Sequence, residues 1–399
     1  MSSPTWTIYL RWVFITLFGI LAATGGVNAL MDPLGVLGAP RIHGINVKMP
    51  YLDHHRELAR FKAAQQVCAK AGIFGNSRSE IGFDPASLAF TGRGLSAFNH
   101  AIPGSGLQLA LRQLNWLASI NCLPETIVLG VDFADFLGGS RVVPLPTIQS
   151  APPPRIDGPF LAETVFSLNG LMDSLTTLRT QRVAHPATIT PLGFNSLDNY
   201  LDEVASQGHY VLFRQRAEEN LRRWRGKPAR LRPEDGTPSA DEVELRAFVA
   251  QATAAGSHVH LVIYPYHAEI RLMLEGIGLG GLLADWKTNI VTLAEQAGRQ
   301  PAQVEIWDFS GLSAETLEPI PAQGDLQTQL NYYWEAGHFK KALGDKVLAR
   351  VLGTEGNFGV KLDSGMIQAH VAQDRARVQT ELAQDTPLSQ EVRDVLRSH

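Results

Sequence analysis

Short apolar runs at Ala71–Phe74, Glu125–Phe133, Val259–Tyr264 and Val304–Phe309 alternate with stretches of helical spacing, and no other feature restricts the fold as much. The run from Glu125 to Phe133 is rich in β-branched residues and reads as a buried strand. Leu107, Leu111 and Leu114 recur at helical spacing within Leu107–Ser119. Helices are expected also at Tyr51–Lys70, Ala240–Ala255, Leu282–Gly298 and Ala342–Leu352. Such alternation predicts an α/β fold with a parallel sheet covered by helices on both faces. A chain of 399 residues, 45% apolar and 19% charged, can bury a core of that size.

The amino-terminal stretch obeys a different logic. Residues 12–30 carry no charge and follow Arg11, with Trp6, Tyr9 and Trp12 at one end like an interfacial belt. That length spans a bilayer, and the positive flank predicts a cytoplasmic amino terminus with everything after Asp32 exported. The expected location is the inner membrane, single-pass, with the globular body in the periplasm or another extracytoplasmic space. Val27-Asn28-Ala29 also fits a small-residue cleavage site, so secretion after signal-peptide removal is the alternative. A buried core helix is the bland third reading.

These features divide the chain into an anchor or signal segment (1–31), a linker (32–50), an α/β domain (51–353) and a helical tail (354–399). The linker holds Pro33, Gly35, Gly38, Pro40 and Gly44, and the tail carries a helical pattern near Met366–Leu382. Pro144, Pro146 and Pro152 to Pro154 make residues 138–158 a surface loop or lid. Helical patterns at Leu161–Val183 and Tyr210–Arg225 make the segment from about 140 to 238 a mostly helical insertion beside the sheet. Lys and Arg number 35 against 39 Asp and Glu without a basic stripe, which speaks against nucleic acid as a partner. The two cysteines form no Cys-x-x-Cys pair; His54 and His55 are adjacent and no His-x₃-His occurs, so neither metal nor cofactor is expected.

Open parallel sheets bind ligands at the carboxyl ends of their strands. Ser77 follows the first strand within Gly75-Asn-Ser-Arg78, Asp132 the second, His267 the third in Tyr264-Pro-Tyr-His, and Asp308 closes the fourth. A serine in a glycine-flanked turn is open to approach by backbone N–H groups and substrate, although Gly-x-Ser after a strand is more often an ordinary turn or helix cap. In Trp334-Glu-Ala-Gly-His-Phe339 the three-residue spacing lets Glu335 fix the tautomer of His338 while the other ring nitrogen faces the serine. Arg78 either holds the turn or binds an anionic group. His267 reads evenly as a strand-end residue tied to backbone and as a substrate-binding donor. Asp308 is expected to buttress a loop.

The order Gly-Asn-Ser77, Pro103-Gly104, Gly130-Val-Asp132 and Glu335-x-x-His338 resembles the four blocks of the SGNH/GDSL hydrolase superfamily. Asp32-Pro-Leu-Gly35, Trp307-Asp-Phe-Ser-Gly311 and Leu343-Gly-Asp345 resemble more closely a membrane-anchored bacterial branch often associated with exopolysaccharide or cell-envelope genes. The resemblance implies a three-layer α/β/α fold with Ser77 as nucleophile, His338 as general base and Glu335 as its orienting carboxylate. The N–H groups of Ser77 and Gly104 would face the oxyanion. Two departures stand out: Asp132 occupies the place of an oxyanion-hole Asn, and Glu335 that of an Asp. An ionised carboxylate would repel an oxyanion, so Asp132 must be protonated, point away, or mark different work.

The implied activity is a serine esterase or O-acyltransferase acting on acyl esters of an exopolysaccharide or envelope glycan. Its partners would be the acyl-sugar substrate, the inner membrane and components of a polysaccharide synthase or acyltransferase. The alternative is a catalytically weak scaffold subunit of a polysaccharide synthesis or export complex, for which Asp132 is the best argument. In the superfamily's arrangement the strands before Ser77 and Asp132 are neighbours, and Cys68 and Cys122 lie at comparable depth before them. A Cys68–Cys122 disulfide is therefore a candidate, against two separate buried thiols.

Overall fold

Each of the four apolar runs holds a strand, and along the chain helices alternate with these strands. The computed structural model describes residues 4–141, 155–298, 303–353 and 356–398, so most of the proline-rich stretch read as a loop or lid lies outside the described residues. In chain order the first elements are α1 (Pro4–Met31), β1 (Met49–Pro50), α2 (Arg56–Val67), β2 (Ala71–Phe74), α3 (Ser77–Gly82), α4 (Leu88–Thr91) and β3 (Ala97–Asn99). They are followed by α5 (Leu107–Ser119), β4 (Thr126–Val131), α6 (Phe133–Phe136), α7 (Gly158–Thr164), α8 (Leu168–Thr180), β5 (Thr188–Ile189), α9 (Tyr200–Arg225) and α10 (Ala240–Ala254). The remainder is β6 (His258–Ile263), α11 (Ala268–Gly276), α12 (Gly280–Ala297), β7 (Val304–Asp308), β8 (Tyr333–Glu335), β9 (His338–Phe339), α13 (Lys341–Val351), β10 (Val360–Leu362), α14 (Ile367–Ala383) and α15 (Pro387–Ser398).

The chain divides into two units, the smaller comprising residues 1–63, 152–191 and 197–199. Within it, Trp6–Met31 is long and apolar enough to cross a membrane. Asp32 stops α1: its φ is +40°, and its carboxylate accepts the N–H groups of Val36, Leu37, Gly38 and Ala39 at 3.0–3.2 Å. The stretch expected as an extended linker is thus wound around one carboxylate, and Leu34 and Val36 join Leu58 and Phe160 in a small apolar cluster. The single helix expected over 161–183 is two, because Ser167 accepts from the Gly170 N–H as the N-cap of α8.

The larger unit holds a six-stranded sheet in the order β10-β7-β6-β4-β2-β3. Every pairing is parallel except that of β10 with β7, where Val360 lies opposite Asp308. The tail therefore adds an antiparallel edge strand that lacked a clear apolar run. From β2 the chain moves to β3 on one side, then crosses to β4 on the other. That reversal makes the crevice between the carboxyl ends of β2 and β4 the expected ligand position. Helices α5, α10, α12 and α14 pack in succession, and α3 packs against α13 and β9. Tyr210–Arg225 extends back to Tyr200, with non-helical backbone at Gly208. Helices α11 and α15 had not been expected. Almost every residue of α11 is buried, which erases the polar face that would have revealed it.

Candidate active site

Strand β2 is buried along its whole length and ends at Gly75, whose φ of +140° is a conformation open to glycine. A Cβ there would meet the Tyr264 hydroxyl at 2.4 Å and Ser79 Oγ at 2.5 Å. Asn76 then caps α3, its Oδ1 accepting the Arg78 N–H at 3.1 Å, so Ser77 is the first helical residue. The candidate serine and the helix cap share one turn: Asn76 supplies the cap, and the Ser77 side chain is not used by it.

Strands β8 and β9 form a hairpin around Ala336-Gly337, and its register sets Glu335 directly opposite His338. His338 Nε2 lies 2.9 Å from Ser77 Oγ, and His338 Nδ1 bonds Glu335 Oε1. The other Glu335 oxygen accepts the Gly337 N–H at 2.5 Å. Arg216 of α9 places Nε 3.2 Å from Oε1 as an ion pair. Burial alone would raise the Glu335 pKa; the charge and hydrogen bond of His338, with Arg216 and the Gly337 N–H, outweigh it and hold the carboxyl down at about 2. A Glu335 ionised at neutral pH favours the His338 proton on Nδ1 and leaves Nε2 as the acceptor facing Ser77.

The second cluster follows β4. Asp132 caps α6 and accepts from the Ala134 N–H at 3.1 Å and from the Tyr266 hydroxyl at 2.8 Å through Oδ1. Its Oδ2 takes Asn76 Nδ2 at 3.3 Å and pairs with the Arg78 guanidinium. Of the three options open for Asp132, the geometry matches a side chain turned to its own partners: Asn76, Arg78, Tyr266 and the Ala134 N–H. Arg78 lies over the rings of Tyr264 and Tyr266, at 5.9 and 5.4 Å from their centroids, and its guanidinium is committed to Asp132. Asp135, with Oδ2 3.4 Å from Asn76 Nδ2, is pushed up to about 7 by burial and by repulsion from Asp132, against the pull of Arg78. A narrow crevice at these strand ends is lined by Gly75, Asn76, Ser105, Gly130, Asp132 and Asp135.

Other expectations change. His267 leaves the pocket: it is fully buried as the N-cap of α11, with Nδ1 accepting the Glu269 N–H at 3.2 Å and Nε2 2.8 Å from the Glu318 carbonyl. Burial pushes its pKa down to about 4, so the ring is neutral and its polar atoms are used. Gly104 sits in an exposed turn with φ of +73°, and no hydrogen bond among the described residues joins it to the triad. Asp308 does buttress a loop, taking the Ser310 N–H at 2.9 Å, and Lys287 Nζ bridges it to Asp374 at 2.7 and 2.9 Å. Cys68 and Cys122 are disulfide-bonded, with α-carbons 5.0 Å apart in the turns leading to the adjacent strands β2 and β4. Asn76, Tyr264 and Tyr266 were visible in the strand-end motifs as Ser77 and His267 were, whereas Arg216 reaches Glu335 from a distant helix without any local signal.

Comparison with protein-family models, with curated proteins and with solved structures returns no match.

Proposed function

We propose that this chain is an SGNH-type serine esterase or O-acyltransferase, exported and held at the membrane, that handles acyl esters of an exopolysaccharide or envelope glycan. The observation that carries the reading is the continuous chain Ser77 Oγ–His338–Glu335, which joins the end of β2 in the six-stranded sheet to the separate β8–β9 hairpin. In this reading His338 Nε2 takes the Ser77 proton as Oγ bonds to the acyl carbon. It returns the proton to the departing sugar oxygen, leaving an acyl group on Ser77. Water or a second sugar hydroxyl then attacks the acyl carbon, giving its proton to His338, which passes it to Ser77 Oγ as the acyl–Oγ bond breaks and Ser77 is regenerated. Glu335 stabilises the imidazolium formed in each half. Among the described residues no acceptor takes the Ser77 N–H, which makes it the available donor to the oxyanion.

The test is labelling of the full chain by a fluorophosphonate probe. Wild type is expected to carry the label on Ser77, Ser77→Ala none, and His338→Ala to react at least ~10³-fold more slowly. Label absent from wild type, or mapped elsewhere, defeats the hydrolase reading. The second reading, a scaffold subunit that retains the fold, draws on Asp132: a carboxylate already committed to Arg78 stands where a hydrolase needs a donor. It is favoured if Ser77 stays unlabelled while the chain still binds an acylated glycan.

A further inference from the structure

Helix α8 is built the wrong way round for a helix on a water-facing body. At about 100° per residue, Gly170, Ser174 and Thr177 share its buried face, while Leu168, Met172 and Leu175 share the opposite, exposed one. Leu168 and Met172 are 76% and 58% exposed, and Phe166, just before the helix, is 51% exposed. Among the described residues outside α1, eleven large apolar side chains are exposed, and eight of them belong to the smaller unit. Small and polar inside, large and apolar outside is the pattern of a helix whose surroundings are lipid.

The partner of the buried face is α1 itself. Gly25 packs against the Phe166 ring, and Gly170 lies against Asn28. Asn28 Nδ2 donates to the Val165 carbonyl at 2.8 Å and the Ser167 carbonyl at 3.3 Å, while the Ser174 hydroxyl donates to Asn28 Oδ1 at 2.8 Å. Close approach through small residues, fastened by an amide, is how helices pack where hydrocarbon leaves no hydrophobic drive between them. Docking begins only at Thr24, and residues 6–23 of α1 are exposed throughout. Helical residues 4–23 measure about 30 Å at 1.5 Å per residue, the thickness of the hydrocarbon core. A bilayer around residues 4–23 would therefore end where α8 begins to pack. At 13 residues α8 is about 20 Å long and too short to cross.

We propose that α8 is a second membrane contact: it lies in the interface at the outer end of α1, with Phe166, Leu168, Met172 and Leu175 in the lipid. Arg179, on the same side in the last turn, reaches the headgroups. Single cysteines at 168, 172 or 175, in a background whose two native cysteines are bonded to each other, accept a nitroxide label. The full chain is placed in vesicles of phosphatidylethanolamine and phosphatidylglycerol, with Phe18→Cys as the lipid reference and Leu88→Cys, exposed on the larger unit, as the water reference. Labels on α8 are expected to collide more with oxygen than with a water-soluble nickel chelate, as at position 18, while position 88 shows the reverse. Water-like behaviour on α8, shielding from both reagents, or a water-like label at position 18 each overturns the proposal. Should one substitution prevent folding, the other two decide.

Discussion

Glu335 is the residue on which the triad's electrostatics turn. It is buried beside His338 and Arg216, and its carboxyl sits at about 2. A depressed carboxyl pKa contributes stability that is present in full above its unfolded value near 4.5 and is lost as pH falls toward 2. The shift corresponds to on the order of 3 kcal/mol. Glu335→Gln is therefore expected to melt earlier than wild type at pH 7, with the gap closing between about pH 4.5 and 2. Melting curves across that range check it; a gap that stays constant removes the ion-pair account. The same substitution leaves the His338 tautomer unfixed and should slow fluorophosphonate labelling by ~10²-fold or more. Ser77, Glu335 and His338 were legible because each stands where a short motif meets a strand end. His267 stood in such a place too, but the neighbouring Tyr264 and Tyr266 face the site while the ring turns into the core. Position at a strand end narrows the choice of residue; the direction of each side chain depends on the pleat and the following turn.

At the scale of elements, the distance from Ser77 to His338 depends on how closely α3 meets β9 and α13. A Cβ on Gly82 would fall 1.9 Å from the Phe339 ring, and one on Gly344 would fall 1.7 Å from the Gly82 carbonyl oxygen. Gly344→Ala must push α13 from α3, with an overpacking cost of roughly 1–3 kcal/mol. Slower labelling of Ser77 at a temperature where the variant is fully folded is the expected companion; unchanged labelling would mean that α3 and the hairpin move together. Periodicity revealed α5 and α10 because each keeps one wet face, and concealed α11, which keeps none. Helix α1 yields a second prediction. Cleavage after Ala29 would remove Asn28 and with it the fastening of α8, so amino-terminal sequencing of the mature chain should find residues 24–31 retained. A mature chain starting at Leu30 would show that the smaller unit holds together without this contact.

For the molecule as a whole, compartment and sheet order meet at Cys68–Cys122. Adjacent parallel strands stand about 4.8 Å apart, and the bridge joins the turns before two such strands, β2 and β4, which then deliver Ser77 and Asp132. The pairing was readable in outline from the similar distances of nine and ten residues to Ser77 and Asp132 together with the strand order that the SGNH resemblance implied, whereas the paths of the two turns were not: Cys68 takes φ of +44°, which no local pattern announced. A disulfide closing a separation of 54 residues restrains the unfolded chain by about 4 kcal/mol in the loop-entropy model. Such a bond persists outside a reducing cytoplasm, on the side to which Arg11 and the apolar run would direct the body. Protein recovered from the extracytoplasmic side is expected to resist alkylation when unfolded without reductant and to take two alkyl groups after reduction. Its unfolding midpoint should fall on reduction by an amount matching a few kcal/mol. Two reactive thiols before reduction would separate the sheet from the compartment: the strands would remain neighbours, and the case for export would then rest on residues 4–31 alone.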